Sequence, residues 1–211
     1  MKINNIKQVS EYLNIPENEI FYFWKYRNDD WSYTDKNNYK HLYRFINGKY
    51  IELTKDIIAI WVFSYDNGNW MYEDKNGYYH LFKFIKNQWI ELTKNVDAID
   101  CSFYLNGDWR YTDKNKYEHL FRRIDDEYIE LTKGINTKWV NSYSNGDWEY
   151  QNKDGYWYLF RLINNKYINL TKNVKAIDTF SYDNKIWEYE DEENCYQFDK
   201  NNKLIEKYPK L

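Results

Sequence analysis

From Ile57 to Thr93 the apolar and aromatic residues fall into four short runs, IIAIWVFSY, WMYED, YYHLFKFI and WIELT, separated by DNGN, KNG and KNQ. Each run has strand length, and Asn67-Gly68 and Asn76-Gly77 supply the positive φ that tight hairpin turns require. The pattern predicts four antiparallel strands joined by three hairpins. The next connection, Thr-Lys-Asp/Asn-Ile/Val, lacks a glycine turn and carries the chain onward. Trp70 and Tyr72 share one side of their strand, whereas Tyr78, His80 and Phe82 oppose Leu81 and Ile85 on the next. A sheet apolar on both faces has to be covered on both, as a blade packed between blades is.

The same phrase recurs. Trp31, Trp70, Trp109, Trp148 and Trp187 repeat every 39 residues (31 to 70, 70 to 109, and so on), each with a Tyr five positions before and two after. Five units of this period predict an all-β fold, a five-bladed β-propeller of four-stranded antiparallel blades. An open β-solenoid of the same units is the other architecture the period allows. Residues 19–211 read as a single five-repeat domain and residues 1–18 as an N-terminal segment. In that segment Ile3, Ile6, Val9 and Leu13 fall at helical spacing before Pro16, which predicts a short helix, with an outer strand over 11–15 as the alternative. Residues 204–207 sit where the outer strand of blade five belongs.

Composition narrows the class. Aromatic residues make up 21% of the chain, with 24 Tyr and 10 Trp, so rings carry the burial that Leu and Val carry elsewhere. Thirty basic and 33 acidic side chains give a net charge of −3, which removes the general electrostatic motive for binding nucleic acid. No stretch has the apolar length of a signal peptide or a membrane span, so a soluble protein is expected, cytoplasmic or released without a Sec signal. Cys101 and Cys195 are too few for a disulfide framework or a four-cysteine zinc site. Both read as reduced, structural thiols, and no cofactor or metal is expected.

The phrase W/Y-I-E-L-T-K-N-V-x-A-I leading to NGDWxYxDKxGxYxLFR resembles the tectonin repeat of tachylectin-like propeller lectins, over about residues 19–207. It departs in having Gly134 as the only transfer-loop glycine, and five units where many tectonin proteins have six. The resemblance implies a propeller and, through it, carbohydrate binding.

The repeated Trp and Tyr read as core between blades. His41, His80 and His119 read as locally bonded strand residues, because copies spread over successive units cannot converge on one metal or one triad. Arg44, Lys83 and Arg122 are expected to face Glu52, Glu91 and Glu130 across the third hairpin, if its loop holds three residues. Variable positions point to function, since a core cannot hold Trp in one copy and Asp in another. Tyr22, Trp61, Asp100, Trp139 and Asp178 share such a place near the start of the first strand and must touch solvent or ligand. Lys40, Tyr79, Glu118, Trp157 and Tyr196 vary likewise on the third strand. Asp74 and Asp113, with Lys55, Lys94 and Lys133, lie at the same end of the strands as the first set, although an Asp there also suits a turn cap. No unique Ser/His/Asp set or phosphate loop stands out, so the expectation is a protein that is not an enzyme. It is instead a multivalent binder of glycans through stacking rings and carboxylates, or a scaffold for protein partners.

Overall fold

The computed structural model of the protein describes residues 2–86, 88–164 and 166–210; Asn87, within the hairpin read from KNQ, lies outside them. Five four-stranded antiparallel sheets follow one another, each with its strands in chain order. Blade one is β1 (Ile20–Lys25), β2 (Trp31–Asp35), β3 (Lys40–Ile46) and β4 (Lys49–Glu52). Blade two is β5 (Ala59–Ser64), β6 (Trp70–Asp74), β7 (Tyr79–Ile85) and β8 (Gln88–Glu91). Blade three is β9 (Asp100–Phe103), β10 (Trp109–Thr112), β11 (Glu118–Ile124) and β12 (Glu127–Glu130). Blade four is β13 (Thr137–Ser142), β14 (Trp148–Asn152), β15 (Trp157–Ile163) and β16 (Lys166–Asn169), and blade five is β17 (Asp178–Ser181), β18 (Trp187–Glu190), β19 (Asn194–Phe198) and β20 (Leu204–Pro209). This is the all-β, five-bladed propeller architecture that the 39-residue period predicts. The chain divides into two compact units, the first ending at Asp100 and the second starting at Cys101.

In the first unit, the predicted helix is α1 (Ile6–Leu13), capped by the Asn5 side chain, which accepts the Gln8 N–H at 3.0 Å. Asn14, in the left-handed region at φ 54°, ends it. Ile3 and Val9 are fully buried against Trp31, Tyr43 and Tyr50. In blade two the corresponding Trp70 is buried with Leu42 of blade one, Ala59 and Val62. The N-terminal segment thus covers Trp31 as blade one covers Trp70. In the second unit Trp148 is buried with Leu120 of blade three and Val140. Each repeated Trp also stacks on a ring of its third strand, as Trp70 does on Phe82 at 4.2 Å and 7°, so the scaffold reading of the Trp series holds.

The third hairpin differs from expectation by one residue. Ile46 pairs with Lys49 across the two-residue turn Asn47-Gly48, so Arg44 faces Ile51, Lys83 faces Ile90 and Arg122 faces Ile129. A one-residue shift moves every side chain to the other face of the sheet. The Arg44 guanidinium therefore turns to Asp30, with Nε donating to Oδ2 at 2.9 Å, and Ser64 of blade two donates to the same carboxylate. Asn28 adds a hydrogen bond from its side chain to the Tyr65 carbonyl at 2.9 Å. The second unit repeats this clasp with Arg122, Asp108 and Ser142, and with Arg161, Asp147 and Ser181. These buried ions tie blade one to blade two, blade three to blade four and blade four to blade five.

Candidate functional site

The first strand of a blade starts with a choice of backbone. In blades one, two and four the ladder with the second strand shifts register between Ile20 and Tyr22, Ala59 and Trp61, and Thr137 and Trp139. The residue leaving such a bulge is re-aimed away from the regular pleat. Tyr22 is 58% exposed, Trp61 37% and Trp139 53%, as expected for positions that touch solvent or ligand. In blade five β17 begins at Asp178, which pairs directly with Glu190.

Tyr22 and Trp61 meet in one cavity of about 260 Å³ between blades one and two. Trp24, Tyr26 and Phe63 add further rings to its walls, and Ser32, Thr34 and Lys40 give it polar groups. Trp61 and Phe63 lie nearly parallel, with centroids 5.9 Å apart and 8° between planes. The Lys40 ammonium donates to Thr34 Oγ1 at 2.5 Å and lies 5.7 Å from the centre of the Tyr22 ring. The slot thus joins aromatic faces to a small set of fixed hydrogen-bonding groups, the usual make-up of a small-ligand site.

Its counterparts in the second unit are filled. Where blade one has Ser32 and Lys40, blade three has Arg110 and Glu118, whose side chains meet at 2.7 Å, and Glu118 also accepts the Val140 N–H at 2.7 Å. At the junction of blades four and five, Glu149 takes the Ser32 position. Its carboxylate accepts the Tyr143 hydroxyl at 2.7 Å and the Thr179 hydroxyl. Burial raises the Glu149 carboxyl to about 7. The series Ser32, Met71, Arg110, Glu149, Glu188 therefore explains the slot, for its one small member is the residue at the open place. That series was the sequence signal for the site, and the first-strand positions alone do not contain it.

The other candidate residues are dispersed. Asp100 is half-buried at the start of β9, Asp178 is exposed, and Trp139 stands on β13; none of them lines the slot. Lys55, Lys94 and Lys133 are exposed on the bends after the outer strands. Asp74 Oδ1 accepts the N–H groups of Asn76 and Tyr78 at 2.8 and 3.0 Å, and Asp113 does the same for Asn115 and Tyr117 at 2.8 and 2.9 Å. Their second oxygens face His80 and His119 at 3.6 Å, so these carboxylates serve as turn caps. Burial works against the Asp74 carboxylate, yet the two N–H groups hold it below the usual range. The histidines are locally bonded, as expected: His41 Nδ1 meets Glu52 Oε1 at 2.7 Å, and His80 and His119 repeat the contact with Glu91 and Glu130. Burial lowers the affinity of His41 for a proton, but Glu52 and Asp35 outweigh it and raise its pKa. Both cysteines are buried. Among the described residues no three His, Cys, Asp or Glu side chains are grouped to hold a metal ion, and no helix is long and apolar enough to cross a membrane.

No protein-family model matches the chain, and no curated protein sequence matches it. Solved structures similar to it include YCF48 bound to a D1 peptide, at 8% identity and a TM-score of 0.41 over 90% of this chain and 68% of that one. Virginiamycin B lyase from Staphylococcus aureus is similar at 12% identity and a TM-score of 0.34, over 90% and 69% of the two chains. A gluconolactonase from Xanthomonas campestris is similar at 8% identity and a TM-score of 0.35, over 86% and 72%. Two of these three are enzymes by name, which corrects the expectation of a protein that is not an enzyme: the architecture gives no ground for excluding catalysis. At such identities neither their reactions nor their ligands pass to this chain.

Proposed function

We propose that this protein binds saccharide in the slot between blades one and two. Tyr22, Trp24, Trp61 and Phe63 offer faces to the apolar side of a pyranose ring, and Ser32, Thr34 and Lys40 offer partners to its hydroxyls. The observation that carries the reading is the openness of this slot beside counterparts closed by Arg110 with Glu118 and by Glu149. The resemblance of the repeat to tectonin units supports the same ligand class. One slot of this size holds a monosaccharide weakly, with a Kd on the order of 1 mM, and several copies engaging one glycan surface bind more tightly without a new contact.

Ser32→Met tests the reading, since Met71 already occupies the equivalent place in blade two, 6% exposed. A glycan array followed by tryptophan-fluorescence titration should show saccharide bound by the wild type. The variant should lose at least tenfold in affinity while keeping its thermal midpoint. Equal binding by the two proteins would move the site elsewhere. A wild type that binds no glycan, but releases a peptide partner on Ser32→Met substitution, would keep the slot and discard the saccharide.

A further inference from the structure

We infer that the slot selects a sugar bearing a carboxylate, a uronic acid, over its neutral counterpart; this rests on the saccharide reading of the same site. The argument comes from comparing one place in two blades. In blade three the second-strand position holds Arg110 and the third-strand position holds Glu118, and the two neutralise each other at 2.7 Å. In blade one the third-strand position holds the cation, Lys40, and the second-strand position holds Ser32. The ion pair is reversed in polarity and one partner is deleted. Among the described residues, Lys40 makes its contacts to the Thr34 hydroxyl and the Tyr22 ring, with no carboxylate against it.

Nothing else in the wall answers that charge. The slot is lined by Tyr22, Trp24, Tyr26, Phe63 and their neighbours, and no Asp or Glu is among the lining residues. An ammonium held in an aromatic slot, away from counter-charges, gains more from an incoming anion than a solvated surface lysine does, because less water screens the pair. The Thr34 hydroxyl fixes the ammonium beside the ring faces, so a ligand stacked on Trp61 or Tyr22 can carry its carboxylate to Lys40. A hydrogen bond to a charged group contributes about 1.5–3 kcal/mol, which is roughly a tenfold to hundredfold preference for the acidic sugar.

Titration of the full chain with glucuronate, glucose and acetate, read by tryptophan fluorescence in low and high salt, tests this. Glucuronate should bind at least tenfold more tightly than glucose, with the advantage shrinking in high salt, and acetate should bind far more weakly than either. Lys40→Met should bring glucuronate down to the level of glucose. Ser32→Glu, which restores an internal partner for Lys40, should do the same, with a thermal melt confirming that the variant is folded. Equal affinity of wild type for glucuronate and glucose would overturn the inference and leave the saccharide reading standing. Binding of neither sugar would remove both. Acetate binding as well as glucuronate would make the site one for a bare anion and overturn the preference for an acidic sugar.

Discussion

Glu149→Gln should remove most of a fall in stability that the wild-type protein undergoes between pH 5 and pH 8. Glu149 is the second residue of β14, 4% exposed, and its carboxyl lies among Asn141, Tyr143 and Thr179. Burial raises it from 4.5 to about 7, more than these three donors lower it. A carboxyl raised on folding is protonated in the native protein at pH values where the unfolded chain has already released the proton. Its contribution is therefore complete below pH 4.5 and is lost as pH rises through about 7. At 1.36 kcal/mol for each pH unit between the two values, the loss from pH 5 to pH 8 is about 2–3 kcal/mol. Asp178, raised by partial loss of water around its carboxylate and by Glu190, and His41, raised against burial by Glu52 and Asp35, add to the fall with the same sign, whereas the lowered Asp113 acts only as pH drops below its usual range. Glutamine has the shape of the protonated acid and accepts the Tyr143 hydroxyl equally well. Urea denaturation at four pH values, followed by tryptophan fluorescence, should show a wild-type slope that is largely flattened in Glu149→Gln. Parallel slopes in the two proteins would refute the assignment of the proton to this residue.

Two further outcomes follow from the packing. Asp30→Ala removes the carboxylate partner of a guanidinium whose side chain is 11% exposed and should cost about 3–5 kcal/mol in urea denaturation, since an unpaired ion is left buried; Arg44 also donates to the Gly68 carbonyl and the Ser64 hydroxyl, and a loss below about 1 kcal/mol would mean that these two satisfy it by themselves. Trp109→Ala, at a ring 3% exposed and stacked on Phe121 at 4.3 Å, should cost about 3–5 kcal/mol, while Trp61→Asp should cost no more than about 1 kcal/mol because sister positions already hold Asp100 and Asp178. Similar losses for the two Trp variants in thermal melts would erase the distinction between scaffold and site.

The repeating unit of this fold was legible from local signals alone. A Trp every 39 residues, strand-length runs and Asn-Gly turns are local signals, and local chemistry sets strand number, hairpin order and the apolar character of both faces. The sequence also marked Tyr22, Trp61 and Trp139 as surface, because Trp in one copy and Asp in another cannot both be core. Two things that such signals leave open depended on how the chain packs. Turn length at Asn47-Gly48 set which residue Arg44 faces, and one residue sufficed to exchange Glu52 for Asp30 and Ser64, because side chains alternate across a strand. The slot depended on a side chain being small where its counterparts are long: Ser32 leaves space only because the face of blade one meets Trp61, Val62 and Phe63 of blade two, and a space belongs to two surfaces at once, so no single stretch of sequence contains it.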